Sequence, residues 1–122
     1  MLTVKEIFIN VAETYCPDNV YLQGTLNPDE AFPETFITFS ITDSEFDAFY
    51  NNDANKIDWS LAAMIYSSDP DTIDTIAKGL IKDCKVAGFI PQGAGNDIPS
   101  GVETHTGWAI DFLYPQTISI NE

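Results

Sequence analysis

The side chains best suited to chemistry are one histidine and two cysteines, and their spacing decides what they can do. His105 stands in "ETHTGWAIDF", residues 103–112, between Thr104 and Thr106 and three residues ahead of Trp108. A catalytic histidine needs a nucleophile within reach and an acid that orients its ring. The stretch offers two threonines and no nucleophile motif. Cys84 could partner His105 only as an accessible thiol of depressed pKa, and Lys82 and Lys85 are the only cations near it in sequence. Cys84 falls on the apolar side of a helical pattern, where a free cysteine behaves as a buried, inert group. Cys16 and Cys84 alone make neither a disulfide framework nor a zinc set.

The other motifs fail on spacing. "GAGND" lacks the third glycine of a dinucleotide fingerprint, opens no helix, and has no GK[ST] after it, so it reads as turn chemistry. "DSEFD" (Asp43, Glu45, Asp47) and "DPDTID" (Asp69, Asp71, Asp74) lack the glycine and the distant glutamate of a calcium loop. The second cluster already suits a helix start, where negative charge is favourable. No cofactor or metal is expected, and motif chemistry points away from an enzyme.

Charge narrows the function classes further. Nineteen acids stand against five lysines, with no arginine, for a net charge of −14. A nucleic-acid grip needs cations that neutralise phosphates and release counterions, and bidentate phosphate recognition usually needs the arginine fork. Kinase, nuclease and DNA-binding readings fall accordingly. The acidity itself confers solubility and resistance to nonspecific association.

At 122 residues and 44% apolar composition, the chain has the profile of one globular domain, residues 1–122. No apolar run approaches the roughly 20 residues of a membrane span. Lys5, Glu6 and Glu13 break up any signal-peptide core near the start, so a cytosolic origin is the expectation.

The elements follow from periodicity. Thr3 and Glu6 have capping-box spacing, and Val4, Ile7, Phe8, Val11 and Tyr15 repeat on one helical face until Pro17 stops it. "VYLQGT" predicts a short strand and "LNPDEAFPE" a loop. In "TFITFSITDSEF", Ile37, Phe39 and Ile41 alternate with Thr38, Ser40 and Thr42. "IDWSLAAMIYSS" alternates too, with Ile57, Trp59, Leu61, Ala63 and Ile65 on one face, although "SLAAMIY" contains good helix formers. The second helix is the clearest element. Asp69 is its N-cap, Pro70 its first residue, Ile73, Ile76, Ala77, Leu80, Ile81 and Cys84 its stripe, and Gly88 its stop. Asp74 and Lys78 have the spacing of a helical ion pair. "FIPQ" predicts a strand and "GAGNDIPSGVET" a long loop. "HTGWAIDFLYP" then alternates, with Trp108, Ile110, Phe112 and Tyr114 inward, and "TISINE" reads as a short edge strand. The sum is an α+β fold: a mainly antiparallel sheet of about four to five strands with two helices packed on one face.

From about Val20 to Tyr114 the chain resembles the small phage tail terminator proteins of Gram-positive tailed phages and prophages, also described as tail completion or head–tail joining proteins. The resemblance rests on "FITF" with the polar "FYNND" loop, on "WSLAAMIYSSDPDTIDTIAKGLIKDCKVAGF", and on "GNDIPSGVETHTGWAIDF". The last is the most specific, because the family often shows an Asp-x-Pro-Ser and Thr-His-Thr-Gly-Trp run like Asp97 to Trp108. Gly101 and Val102 depart from it, standing where the family more often has a charged residue. The resemblance carries no active site. It implies a virion protein assembled in the bacterial cytoplasm: a homo-oligomeric ring, a hexamer, that caps the tail tube at its head-proximal end. Its implied partners are the tail tube protein and a head connector or head-completion protein, with DNA passing through an electronegative channel without specific binding. A closed ring uses loops and strand edges, so loops 27–35, 47–56 and 91–104 are the expected contact segments. The candidate interface residues are Asp29, Phe32, Phe49, Asn51, Asn52, Asp97, Ser100 and His105. The rival readings are an acidic binding protein such as a DNA mimic, another neck or head-closure component, and a small hydrolase using Cys84 and His105. In the terminator reading, "ETHTGW" is a strand entrance anchored by Trp108.

Overall fold

A computed structural model describes residues 3–17, 19–22, 34–47, 55–98 and 105–118. Helix α1 (Val4–Ala12) starts at the expected capping box, with Thr3 accepting from the Glu6 amide and the Glu6 side chain reaching back to the Thr3 amide. Its buried positions are Val4, Phe8 and Ala12, at the four-residue spacing of one helical face. Helix α2 (Pro70–Ala87) starts at Asp69, whose carboxylate accepts from the Asp71 amide, and ends at Gly88 with φ of 108°. Only glycine adopts that left-handed turn at little cost. The Asp74–Lys78 ion pair forms at 3.1 Å on the exposed surface, where such a pair contributes a few tenths of a kcal/mol.

Six strands form one sheet: β1 (Val20–Leu22), β2 (Thr35–Asp47), β3 (Asn55–Ser67), β4 (Ile90–Pro91), β5 (Asn96–Ile98) and β6 (Thr106–Ile118). The order is β1-β2-β3-β6-β4, and β5 also pairs with β6. β1 runs parallel to β2, and the other pairings are antiparallel. The α+β expectation holds, with one strand beyond the expected four to five. Three segments differ from the sequence reading. Helix α1 ends at Ala12, short of Tyr15 and Pro17, because the chain tightens into turns in which the Thr14 and Tyr15 amides bond to the Val11 and Ala12 carbonyls. Residues 91–104 are not wholly loop, because Asn96–Ile98 pairs with Ala109, Trp108 and Gly107. "TISINE" is not a separate strand at its start: Thr117 and Ile118 continue β6 opposite Lys56 and Asn55.

The helices cover one face of the sheet. Phe8 and Ala12 of α1 and Ile76, Leu80 and Cys84 of α2 share a core with Ile37, Phe39, Leu61, Ala63, Ile65, Ile110 and Phe112. Each of the isoleucine, leucine and phenylalanine side chains contributes about 1.5–3 kcal/mol when removed from water. The strand reading of "SLAAMIY" therefore prevails over helix propensity: Leu61, Ala63 and Ile65 are buried, whereas Ala62, Met64 and Tyr66 lie on the other face at intermediate exposure.

Between Ile41 and Asp43 the register of β2 against β3 shifts by one residue. Ile41 pairs with Leu61 on the core face, but Asp43 pairs with Ser60 on the opposite one. This bulge at Thr42 turns Asp43 outward, where strict alternation would have aimed it under the helices.

The helices are also tied to each other. Tyr15 follows α1 and lies across α2: a Cβ added to Gly79 would come within 2.7 Å of its ring. Its hydroxyl donates to the Asp83 carboxylate. This hydrogen bond to an anion, helped by burial and by the charge itself, pushes the phenol up to about 12 from the usual 10. The folded chain thus holds this proton more tightly than the unfolded chain, so stability must fall as pH rises between those values. Tyr15's contribution is expected to be complete below pH 10 and lost towards pH 12. Urea unfolding of the wild type and Tyr15→Phe across this range checks it: the gap between the two should shrink with pH, and a constant gap would refute the linkage.

Candidate interaction surfaces

The described residues hold no group of three or more histidine, cysteine or acidic side chains able to bind a metal. None of their helices is long and apolar enough to cross a membrane. Cys16 and Cys84 are both free and buried. Burial pushes their thiols up to about 11 and about 12, Cys84 with a further contribution from the Asp83 carboxylate. Cys84 belongs to the core under the helices. His105 packs on Phe36, which lies outside that core, on the other side of the sheet. The structure therefore does not bring Cys84 and His105 together as a nucleophile–base pair. Neither cysteine should react with iodoacetamide at pH 8 until the protein is unfolded, because the thiolate is the reactive species. Peptide mass spectrometry reads this directly, and selective native labelling of Cys84 would contradict it.

Of the eight candidate interface residues, Asp97 and His105 lie within the described residues. Asp29, Phe32, Phe49, Asn51, Asn52 and Ser100 lie outside them. Asp97 and His105 do not share a site. Asp97 pairs with Trp108 on the helix side of the sheet. It lines a groove of about 360 Å³ between α2 and the β5–β6 edge, with Ile73, Ala77, Lys78 and Trp108. The Trp108 indole is half-buried at this groove and donates to the Ala94 carbonyl at 3.0 Å. Trp108 is thus a wedge at the margin of the core, fixed by one hydrogen bond, and not a central anchor.

His105 sits on the open side. Its ring lies 5.9 Å from that of Phe36, which stacks on Tyr66 at 5.0 Å and meets the edge of Tyr21 at 6.5 Å. Tyr66 faces Gly107 across β3 and β6, and a Cβ at Gly107 would meet the Tyr66 ring and Ile98 at about 3.0 Å. The glycine gives the tyrosine its bed, as aromatic side chains do over strand glycines. This cluster was missed in the sequence. Its one signal is a glycine inside an alternating strand, which marks close approach by a neighbour.

The cluster is one end of a larger surface. Among the described residues, no helix covers this face. Along it run the rows Phe36–Tyr66–Gly107, Thr38–Met64–Ala109, Ser40–Ala62–Asp111 and Asp43–Ser60–Leu113. Phe36 is buried by its neighbours, and Met64, Tyr66, Ala109 and Leu113 are only partly exposed. A depression of about 310 Å³ sits between Thr42, Ser60, Gln92, Asp111 and Leu113. The charged side chains described on these rows and the next are Asp43, Asp58 and Asp111, with no lysine.

A scan against protein-family models finds no match, and a search of curated proteins finds none. Among solved structures, the fold is similar to the sheath/tube terminator of an extracellular contractile injection system in its extended state, with a TM-score of 0.47 and 11% sequence identity. The alignment covers 100% of this chain and 60% of that one, so this chain spans only part of that protein's length. A likeness this loose carries no argument about role.

Proposed function

We propose that this chain is a structural subunit of a phage-type tail, of the Gram-positive phage and prophage kind that its "GNDIPSGVETHTGWAIDF" stretch resembles. Copies form a closed ring, a hexamer, at the head-proximal end of the tail tube. The ring ends tube growth and presents a surface to the head connector, and the chain has no catalytic role. The observation that carries this reading is a sheet whose described helices cover one side only. A face floored by Phe36, Met64, Tyr66 and Leu113, with no helical layer among the described residues, suits a protein partner. The chain's net charge of −14 suits a subunit around a channel that DNA must traverse without adhering.

Light scattering across protein concentration and salt tests the ring. The expected result is one species of about six times the 13.5 kDa chain mass. A monomer or dimer under every condition would reject the ring. Tight, salt-sensitive binding of that small species to a basic protein would favour the acidic-mimic reading, which the carboxylate-lined face also suits.

A further inference from the structure

The lysines are unevenly placed: the helices carry most of them, together with Asp71, Asp74 and Asp83 of α2, and Lys56 stands on β3 beyond the Asp58 row. Four of the five lysines lie on the helices: Lys5 on α1 and Lys78, Lys82 and Lys85 on α2. Lys78, Lys82 and Lys85 recur at four- and three-residue spacing, so they share one stripe of α2. That stripe points away from the sheet, opposite the buried Ile73, Ala77, Leu80 and Cys84. All three lysines are exposed, and Val86 beside them is 86% exposed, an unusual position for a branched aliphatic residue. The open sheet face has the complementary character: carboxylates at Asp43 and Asp111 around a weakly apolar floor of Ala62, Met64, Ala109 and Leu113. Asp43 reaches that face only because of the bulge at Thr42. Asp43 and Asp111 lie two strands and one residue row apart, roughly 12 Å, within the span of two extended lysine side chains one helical turn apart.

We propose that the open sheet face of one copy seats the exposed stripe of α2 from the next copy, with Lys82 and Lys85 against Asp111 and Asp43 and Val86 on the apolar floor. This inference rests on the ring reading above and names its contact. The occupant is a second copy because both halves of the complementary pair stand on the same chain. They lie on opposite sides of the molecule, so one copy cannot join its own two surfaces. A contact between two different patches is head-to-tail, the kind that generates rings when the rotation closes. Its charged part should weaken with salt.

Two charge-reversal variants test it, Lys82→Glu/Lys85→Glu and Asp43→Lys/Asp111→Lys, with native mass as the readout and circular dichroism as the check on folding. Each variant alone should associate at least tenfold more weakly than the wild type. An equimolar mixture should regain the wild-type mass, because the reversed helix of one meets the reversed sheet of the other in an alternating ring. If Asp43→Lys/Asp111→Lys unfolds, Asp43→Asn/Asp111→Asn should still shift the mass downward and flatten its salt dependence; an unchanged mass and slope would overturn the contact. A wild-type ring that the reversals leave intact, or a mixture that stays dissociated, also overturns it and leaves the ring reading standing. A wild type that forms no ring removes both.

Discussion

Phe8→Ala should lower the unfolding free energy by about 3–5 kcal/mol, the range for deleting a buried aromatic ring when its surroundings cannot collapse into the space. Phe8 is fully buried. Its ring lies 5.2 Å from Phe39, 6.1 Å from Phe89 and 6.5 Å from Phe112. Those three rings come from β2, from the segment just after α2, and from β6, so Phe8 joins the short first helix to both the sheet and the end of the second helix. The α1 backbone supplies little to offset the loss. A helix of 9 residues is marginal alone and depends on packing. For a small domain of ordinary stability, the change removes a large share of the total. Urea unfolding checks it through a lower midpoint. A loss below about 1 kcal/mol would mean that α1 is not keyed into the core by this residue.

Gly95→Ala should cost about 2–4 kcal/mol, from a disfavoured backbone region and overpacking together. Gly95 has φ of 105°, outside the region open to side chains. Its missing Cβ is also the space that Trp108 occupies, and a methyl there would collide with the indole nitrogen and stand 2.6 Å from the Ala109 carbonyl oxygen. The clash falls on the nitrogen that donates to Ala94, so the substitution should release the wedge and loosen β5 from β6. Thermal unfolding reads the stability loss, and amide exchange at Asn96–Ile98 reads the loosening. Gly93 is the control. It has a similar φ of 116° but nothing within 4 Å of a Cβ, so Gly93→Ala should carry only the backbone part. Equal losses at the two positions would remove the steric argument.

The sequence made the helices legible because their signals are local. Thr3, Glu6, Asp69, Pro70 and Gly88 act within one turn, and each takes the expected capping role. The long strands were legible where alternation met a single covered face, as at Leu61, Ala63 and Ile65. What escaped depends on a distant partner strand. The bulge at Thr42 is defined only against β3. The strand at Asn96–Ile98 exists because β6 offers it an edge, although its own residues read as loop. The parallel pairing of β1 cannot be seen in three residues. The same limit applied to the candidate site. Asp97 and His105 lie close in the chain, yet strand pairing puts one on the helix side and the other on the open side. Cys84 and His105 are parted by the sheet itself, which sequence spacing does not express.

The most direct test of the proposed role is to offer the protein to growing tail tubes. Tail tubes assembled with the chain carrying a terminal gold-binding tag should show, by negative-stain electron microscopy, one cluster of label at a single end of each tube. Unlabelled ends, or label scattered along the tube walls while the tagged protein stays folded, would contradict the proposal that this chain is a tail terminator.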